Sequence, residues 1–293
     1  MFSKNNLKYI FVLAIGFFWC GSVYLTQEQY LANYASVEFV NLVELLFGSI
    51  SMALGILIFG LLYHKNKNVR NTYIVFMALA LVSMISFFAT KNIYFMSVCL
   101  CLTCLFGTAG FGAGYHFSLL GSNVEKEYRG RVFAIGYGLG SIGTYLMILF
   151  PESFYSSIKT LIIYVPMLLL NLYLVINKTN LIQVKEEKQT SSFRNYFIRI
   201  SIIVLAMSLL SALSTDVIAI NTIDIAGGYG TTRLYYCLGL LIAGFLVDKK
   251  NSLFEILTIA SFVASLLAII LLKEGYSINL IAGLSYSFVA FFV

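Results

Sequence analysis

Residues 60–67 read GLLYHKNK, and residues 244–251 read GFLVDKKN. Each string closes one long apolar run and precedes another. In each, a glycine and three apolar or aromatic residues lead into a basic cluster. The same punctuation written twice, 184 positions apart, points to a chain built from two related halves. Composition says what those halves are made of. Of the 293 residues 60% are hydrophobic and 11% charged, and the mean hydropathy is +0.88. A soluble domain carries about 25% charged residues. So much apolar surface cannot be hidden in a water-soluble core, and an integral membrane protein is expected.

A spanning helix needs roughly 20 apolar residues. Ten segments meet or approach that length: 8–26, 39–63, 72–90, 93–120, 132–150, 160–177, 196–218, 230–247, 254–272 and 278–293. Strict alternation over about ten residues would mark β-barrel strands, and these segments lack it. Backbone groups in hydrocarbon must bond internally, so the expected class is an all-α, polytopic transmembrane helical bundle of about ten helices. Placing the N-terminus in the cytoplasm puts 15 of the 19 Lys and Arg on the inner side, as the positive-inside rule requires. The first segment has signal-peptide character, but the bulky Trp19 before Cys20 suits no cleavage site; a retained first helix is expected. The last segment is short and stops at Val293, which suggests a tenth helix cut short or a chain that continues.

The two strings lie six helices apart on the same side. That offset implies parallel halves related by an axis along the membrane normal. The organisation expected is a six-helix half at 1–177, a basic cytoplasmic linker at 178–195 and an incomplete half at 196–293. On these residues the sequence resembles the major facilitator superfamily, whose loop 2–3 signature G-x-L-x-D-R-x-G-R is echoed in loop 8–9. Gly244, Asp248 and Lys249 match the second copy. The first keeps Gly60, Lys65 and Arg70 but has His64 where the family has Asp. The fourth segment has Gly110, Gly112 and Gly114, then Arg129-Gly130-Arg131 after it, with Phe106 at the family's arginine. The fifth has Gly136, Gly138, Gly140 and Gly143 without the antiporter branch's proline. The stretch RLYYCLGLLIAGFLVDKK (233–250) is also similar to the facilitator-like membrane domains of LuxR-type regulators.

The resemblance implies that Gly60, Lys65, Arg70, Gly244, Asp248 and Lys249 form a cytoplasmic gate of ion pairs that breaks as the halves rock. Gly110 with Gly114, and Gly136 with Gly140, have the GxxxG spacing that lets helices approach closely. Four charges fall in the outer half: Glu44, Asp216, Asp224 and Arg233. By the α-helical rise, Arg233 lies about 16 Å above Gly244 and Glu44 about 24 Å above Gly60. An ionisable group inside a span costs at least about 2.5 kcal/mol and marks function by default. An outer salt-bridged gate, contact with a charged solute group, and snorkelling to headgroups all fit these four. Midplane positions are aromatic or apolar, Phe17, Trp19 and Phe106 among them, with hydroxyls such as Ser51 and Thr108 between.

Several classes are disfavoured. There is no Walker P-loop, no nucleophile–His–acid set, and no basic face on a soluble domain for nucleic acid. Cys99, Cys101 and Cys104 do not share one face of an α-helix, so no metal site, catalytic site or cofactor is expected. The expected partners are the bilayer, of the bacterial cytoplasmic kind, and a small solute. The expected function is secondary transport by alternating access; a membrane sensor on the same scaffold, or a non-transporting remnant, are the alternatives.

Overall fold

The computed structural model describes residues 4–43, 50–51, 54–55, 57–59, 62, 69–148, 150–155, 157–178, 237–242, 244–246 and 248. Among the described residues all regular structure is helical. In chain order there follow α1 (Lys4–Ala32), α2 (Val37–Val43), α3 (Val69–Ala89) and α4 (Ile93–Thr103). A π-helical segment, Cys104–Tyr115, continues α4 directly into α5 (His116–Asn123). Then come α6 (Arg129–Ile148), the single turn α7 (Glu152–Tyr155) and α8 (Leu161–Lys178), with one-turn 3-10 helices before α6 and α8. Residues 237–242, 244–246 and 248 are also helical.

Three of these helices are long and apolar enough to cross a membrane: Asn6–Ala32, Arg70–Ala89 and Ile158–Asn177. They coincide with the expected segments 8–26, 72–90 and 160–177. A shorter apolar helix, Ile93–Thr108, opens the expected segment 93–120. The segments 196–218, 254–272 and 278–293 lie outside the described residues, as does nearly all of the linker. The break between α3 and α4 is polar, and its Asn92 sets the start of α4. Asn92 Oδ1 accepts hydrogen bonds from the Tyr94 and Phe95 amides at 3.0 and 3.2 Å, satisfying two first-turn donors that have no partner within the helix.

The chain divides into two compact units. One comprises Met1–Ile10, Val124–Ile142 and Val184–Val293; the other comprises Phe11–Asn123 and Gly143–Gln183. In the second unit, α3 packs along α4 and the π-helical segment and against α8. Its surface inverts the soluble pattern. On α3, Val75, Leu79 and Val82 face outward, with Val82 62% exposed, and on α8 Ile162 is 75% exposed. Tyr73, Phe76, Met77, Ala80 and Met84 fill the opposite side of α3 and are buried. A helix that is apolar all round belongs either in the core of a large protein or in a membrane; here the outward apolar stripe suits lipid.

Polar groups in this unit turn inward and find one another. The Trp19 indole donates to the Tyr164 carbonyl at 3.0 Å. The Tyr164 hydroxyl donates to the Ser22 carbonyl at 3.0 Å and meets the Thr26 hydroxyl at 2.5 Å. The Asn171 amide donates to the Val12 carbonyl at 2.8 Å and accepts from the Tyr73 hydroxyl. Positions 12, 19, 22 and 26 recur at helical spacing along α1, and 164 and 171 are two turns apart on α8. The result is a polar seam joining α1 to α8. Pro166 lies within α8 and removes one helix donor at this level, where cross-helix bonds matter more.

One feature departs from the sequence reading. The fourth segment is not α-helical throughout, since its glycine-rich middle is a π-helix.

Removing the seam should weaken the unit. Tyr164→Phe is expected to cost about 1 kcal/mol. Asn171→Leu, which removes two bonds, should cost about 2 kcal/mol. Reversible unfolding in mixed micelles measures both; an unchanged midpoint for Asn171→Leu would show that the seam carries no stability.

Candidate functional site

Gly244 and Asp248, singled out in the second loop string, come together with Gly130 and Arg131 inside the first unit. The site starts from two glycines. A Cβ added at Gly130 would lie 2.8 Å from the Gly244 carbonyl oxygen, and one at Gly244 would lie 2.7 Å from the Gly130 carbonyl oxygen. Backbone meets backbone here, and neither position has room for a side chain. Seven residues before Gly244, the Cys237 thiol donates to the Gly138 carbonyl at 3.5 Å. The stretch 237–248 therefore runs antiparallel to α6, along the row Gly130, Ala134, Gly138.

Asp248 stands four residues after Gly244, one turn on and on the same face. That spacing carries its carboxylate to the head of α6. Oδ1 accepts the Gly130 amide at 2.9 Å and Oδ2 accepts the Arg131 amide at 3.0 Å. Oδ2 also accepts Arg131 Nε–H at 2.6 Å, completing an ion pair. The first-turn amides of a helix lack intrahelical acceptors, and the helix start favours negative charge. Asp248 meets both amides from about 117 residues away and acts as a cap supplied by another segment.

Three further contacts hold Arg131. Its Nη2 donates to the Glu127 carbonyl at 3.0 Å. Its guanidinium lies 4.8 Å from the Tyr128 ring centre and 5.8 Å from that of Phe245, both within cation–π range. Arg129, the other arginine of the string, turns away; its Nε donates to the Val124 carbonyl at 2.9 Å, and burial lowers its pKa. The Asp248 side chain is fully covered, whereas that of Arg131 is 26% exposed. Burial pushes the Asp248 carboxyl above its ordinary value, against the downward pull of Arg131 and the two amides. The loss of water thus opposes the attraction.

Of the other expected residues, Arg70 is exposed in the first turn of α3. Gly60, Lys65, Lys249, Glu44, Asp216, Asp224 and Arg233 lie outside the described residues. Gly136 and Gly140 are buried in α6, on a different row from the one that meets 237–248. Gly110 takes the Phe76 ring of α3 against its backbone, and Gly114 lies in the π-helical segment. Among the described residues no group of three His, Cys, Asp or Glu could hold a metal ion. Sequence reasoning found Asp248 but did not choose among its basic partners. The clue was the glycine inside Arg129-Gly130-Arg131, which a helix needs where another backbone lies against it.

No family model and no curated protein matches this chain.

The latch makes a measurable difference to α6. Asp248→Ala leaves two first-turn donors uncapped, at a cost of about 0.5–2 kcal/mol. Hydrogen exchange at the Gly130 and Arg131 amides should quicken about tenfold, the equivalent of 1.4 kcal/mol. Arg131→Lys, which keeps the charge and loses the planar fork, should give a smaller increase. Exchange unchanged in Asp248→Ala would remove the carboxylate from any role in holding α6.

Proposed function

We propose that the chain is a multi-pass membrane protein that moves a small solute by alternating access, in the manner that its resemblance to the major facilitator superfamily implies. The observation that carries this reading is the meeting of Asp248 with Gly130 and Arg131. Two strings that the resemblance singled out, far apart in sequence, meet as one covered latch. A gate needs a contact that is specific in geometry yet modest in net energy, so that rocking can open it. A buried carboxylate whose desolvation offsets its pairing has that balance. Three helices long and apolar enough to span a bilayer, with outward apolar stripes, agree with a membrane location. In this reading the N-terminus is cytoplasmic, the latch lies on the inner side, and the chain forms two pseudo-repeated halves.

Uptake can be measured without naming the solute in advance. Proteoliposomes holding the chain, and empty ones, are incubated in a metabolite extract, and their contents are compared by mass spectrometry. At least one solute should accumulate only with the protein, and Asp248→Asn should change its rate at least about threefold, equivalent to roughly 0.6 kcal/mol. A solute that binds the protein in detergent but never enters vesicles would replace transport with sensing. No selective uptake and no binding would end both readings.

A further inference from the structure

The π-helical segment Cys104–Tyr115 is twelve residues long, whereas π-helices are rare and appear mostly as single-turn bulges. Its packing explains how it is held. A Cβ added at Gly107 would lie 2.8 Å from the Trp19 ring, and one at Gly112 would lie 2.5 Å from Cys20 Sγ. Trp19 and Cys20 are neighbours on α1, and both press on the same side of the segment. In a π ladder each residue bonds to the one five positions on, which stacks 107 above 112. In an α-helix the two glycines would point about 140° apart. The π register is what presents both notches to α1.

The same sequence, GTAGFGAG at 107–114, carries a second row. At α-helical spacing, Gly107, Gly110 and Gly114 fall within about 60° of one another. One stretch thus holds a small-residue face for each register: 107 and 112 for π, and 107, 110 and 114 for α. The upstream junction holds a buried polar group that is only half satisfied. Gln27, fully buried, donates through Nε2 to Thr103 Oγ1 at 3.3 Å, and Thr103 is the last α-helical residue before the segment. Gln27 Oε1 has no hydrogen-bond partner. Turning the amide over does not repair this, because the Thr103 hydroxyl already donates to the Cys99 carbonyl at 2.8 Å. A buried acceptor without a donor costs free energy, here beside the point where the ladder changes.

We propose that residues 104–115 are a register switch, alternating between the observed π ladder and an α ladder that brings Gly110 and Gly114 round to α1. The change would lengthen the rod from α4 to α5 and turn α5 about its axis. The switch depends neither on the membrane side of the latch nor on the nature of any solute, so it stands or falls apart from transport.

The experiment uses the full chain in bilayers, with spin labels on p-acetylphenylalanine introduced at 94 and 123, so that the native cysteines stay. These positions flank the segment in α4 and α5. Pulsed dipolar spectroscopy should show two distances in the otherwise native chain. Gly112→Ala blocks only the π row and should raise the longer-distance population about fivefold, the effect of roughly 1 kcal/mol. Gly114→Ala changes helix propensity equally but fills the α row, and should not raise it. Equal shifts in both variants would reduce the effect to propensity and overturn the switch. If Gly112→Ala does not assemble, the native distribution decides: two distances support the switch, and one narrow distance overturns it.

Discussion

A buried indole, amide or hydroxyl in an apolar helix bundle must find its partner within the protein. In the second unit that constraint falls on α1. Trp19, Ser22, Thr26 and Gln27 sit within three turns of one another, each almost wholly buried, and each makes a bond to another helix or accepts one. α8 answers with Tyr164 and Asn171, α4 with Thr103, and the last turns of α6 with Thr144. The apolar residues of α3 and α8 can then face outward, since bundling does not depend on hiding them. Van der Waals contact and hydrogen bonds hold such a bundle, with small residues where backbones come close.

The same rule governs the first unit with different residues. No polar seam is needed along 237–248 and α6, because the row Gly130, Ala134, Gly138 lets the backbones touch. Close approach comes first and the charge contact follows from it. With any side chain at Gly130 or Gly244 the helices would part, and Asp248 would stop short of the amides at the head of α6. The glycine is thus as much a part of the latch as the carboxylate.

What could be read from the sequence follows from what is local. Spans were legible because length and apolar content fix them: 72–90 became Val69–Ala89, and 160–177 became Leu161–Lys178. Gly244 was legible because its string repeats, and Asp248 because it matches the signature of the family that the string resembles. The pairing with Arg131 was not, since nothing in a sequence states which of several cations lies opposite a carboxylate. Trp19 was legible as an aromatic within its segment, but its contact with Gly107 was not, because that depends on helix rotation. The π register was hidden for a related reason. Reading glycines at α-helical spacing selects Gly110 and Gly114, and the pair that meets α1, Gly107 and Gly112, is spaced for a ladder that periodicity analysis does not consider.

The length of the side chain at 248 shows how tightly the latch is drawn. An aspartate one turn beyond a glycine reaches two amides and a guanidinium at 2.6–3.0 Å with its backbone already close to α6. A glutamate would carry one more methylene into a space bounded by backbone on one side and by Arg131, itself fixed against Tyr128 and Phe245, on the other. It would have to fold back or push the helices apart, and either change separates one oxygen from its amide. A lysine at 131 would keep the charge yet lose the Nε–H that lies along the carboxylate while Nη2 reaches the Glu127 carbonyl. The contact therefore depends on the shape of both partners as well as on their charge.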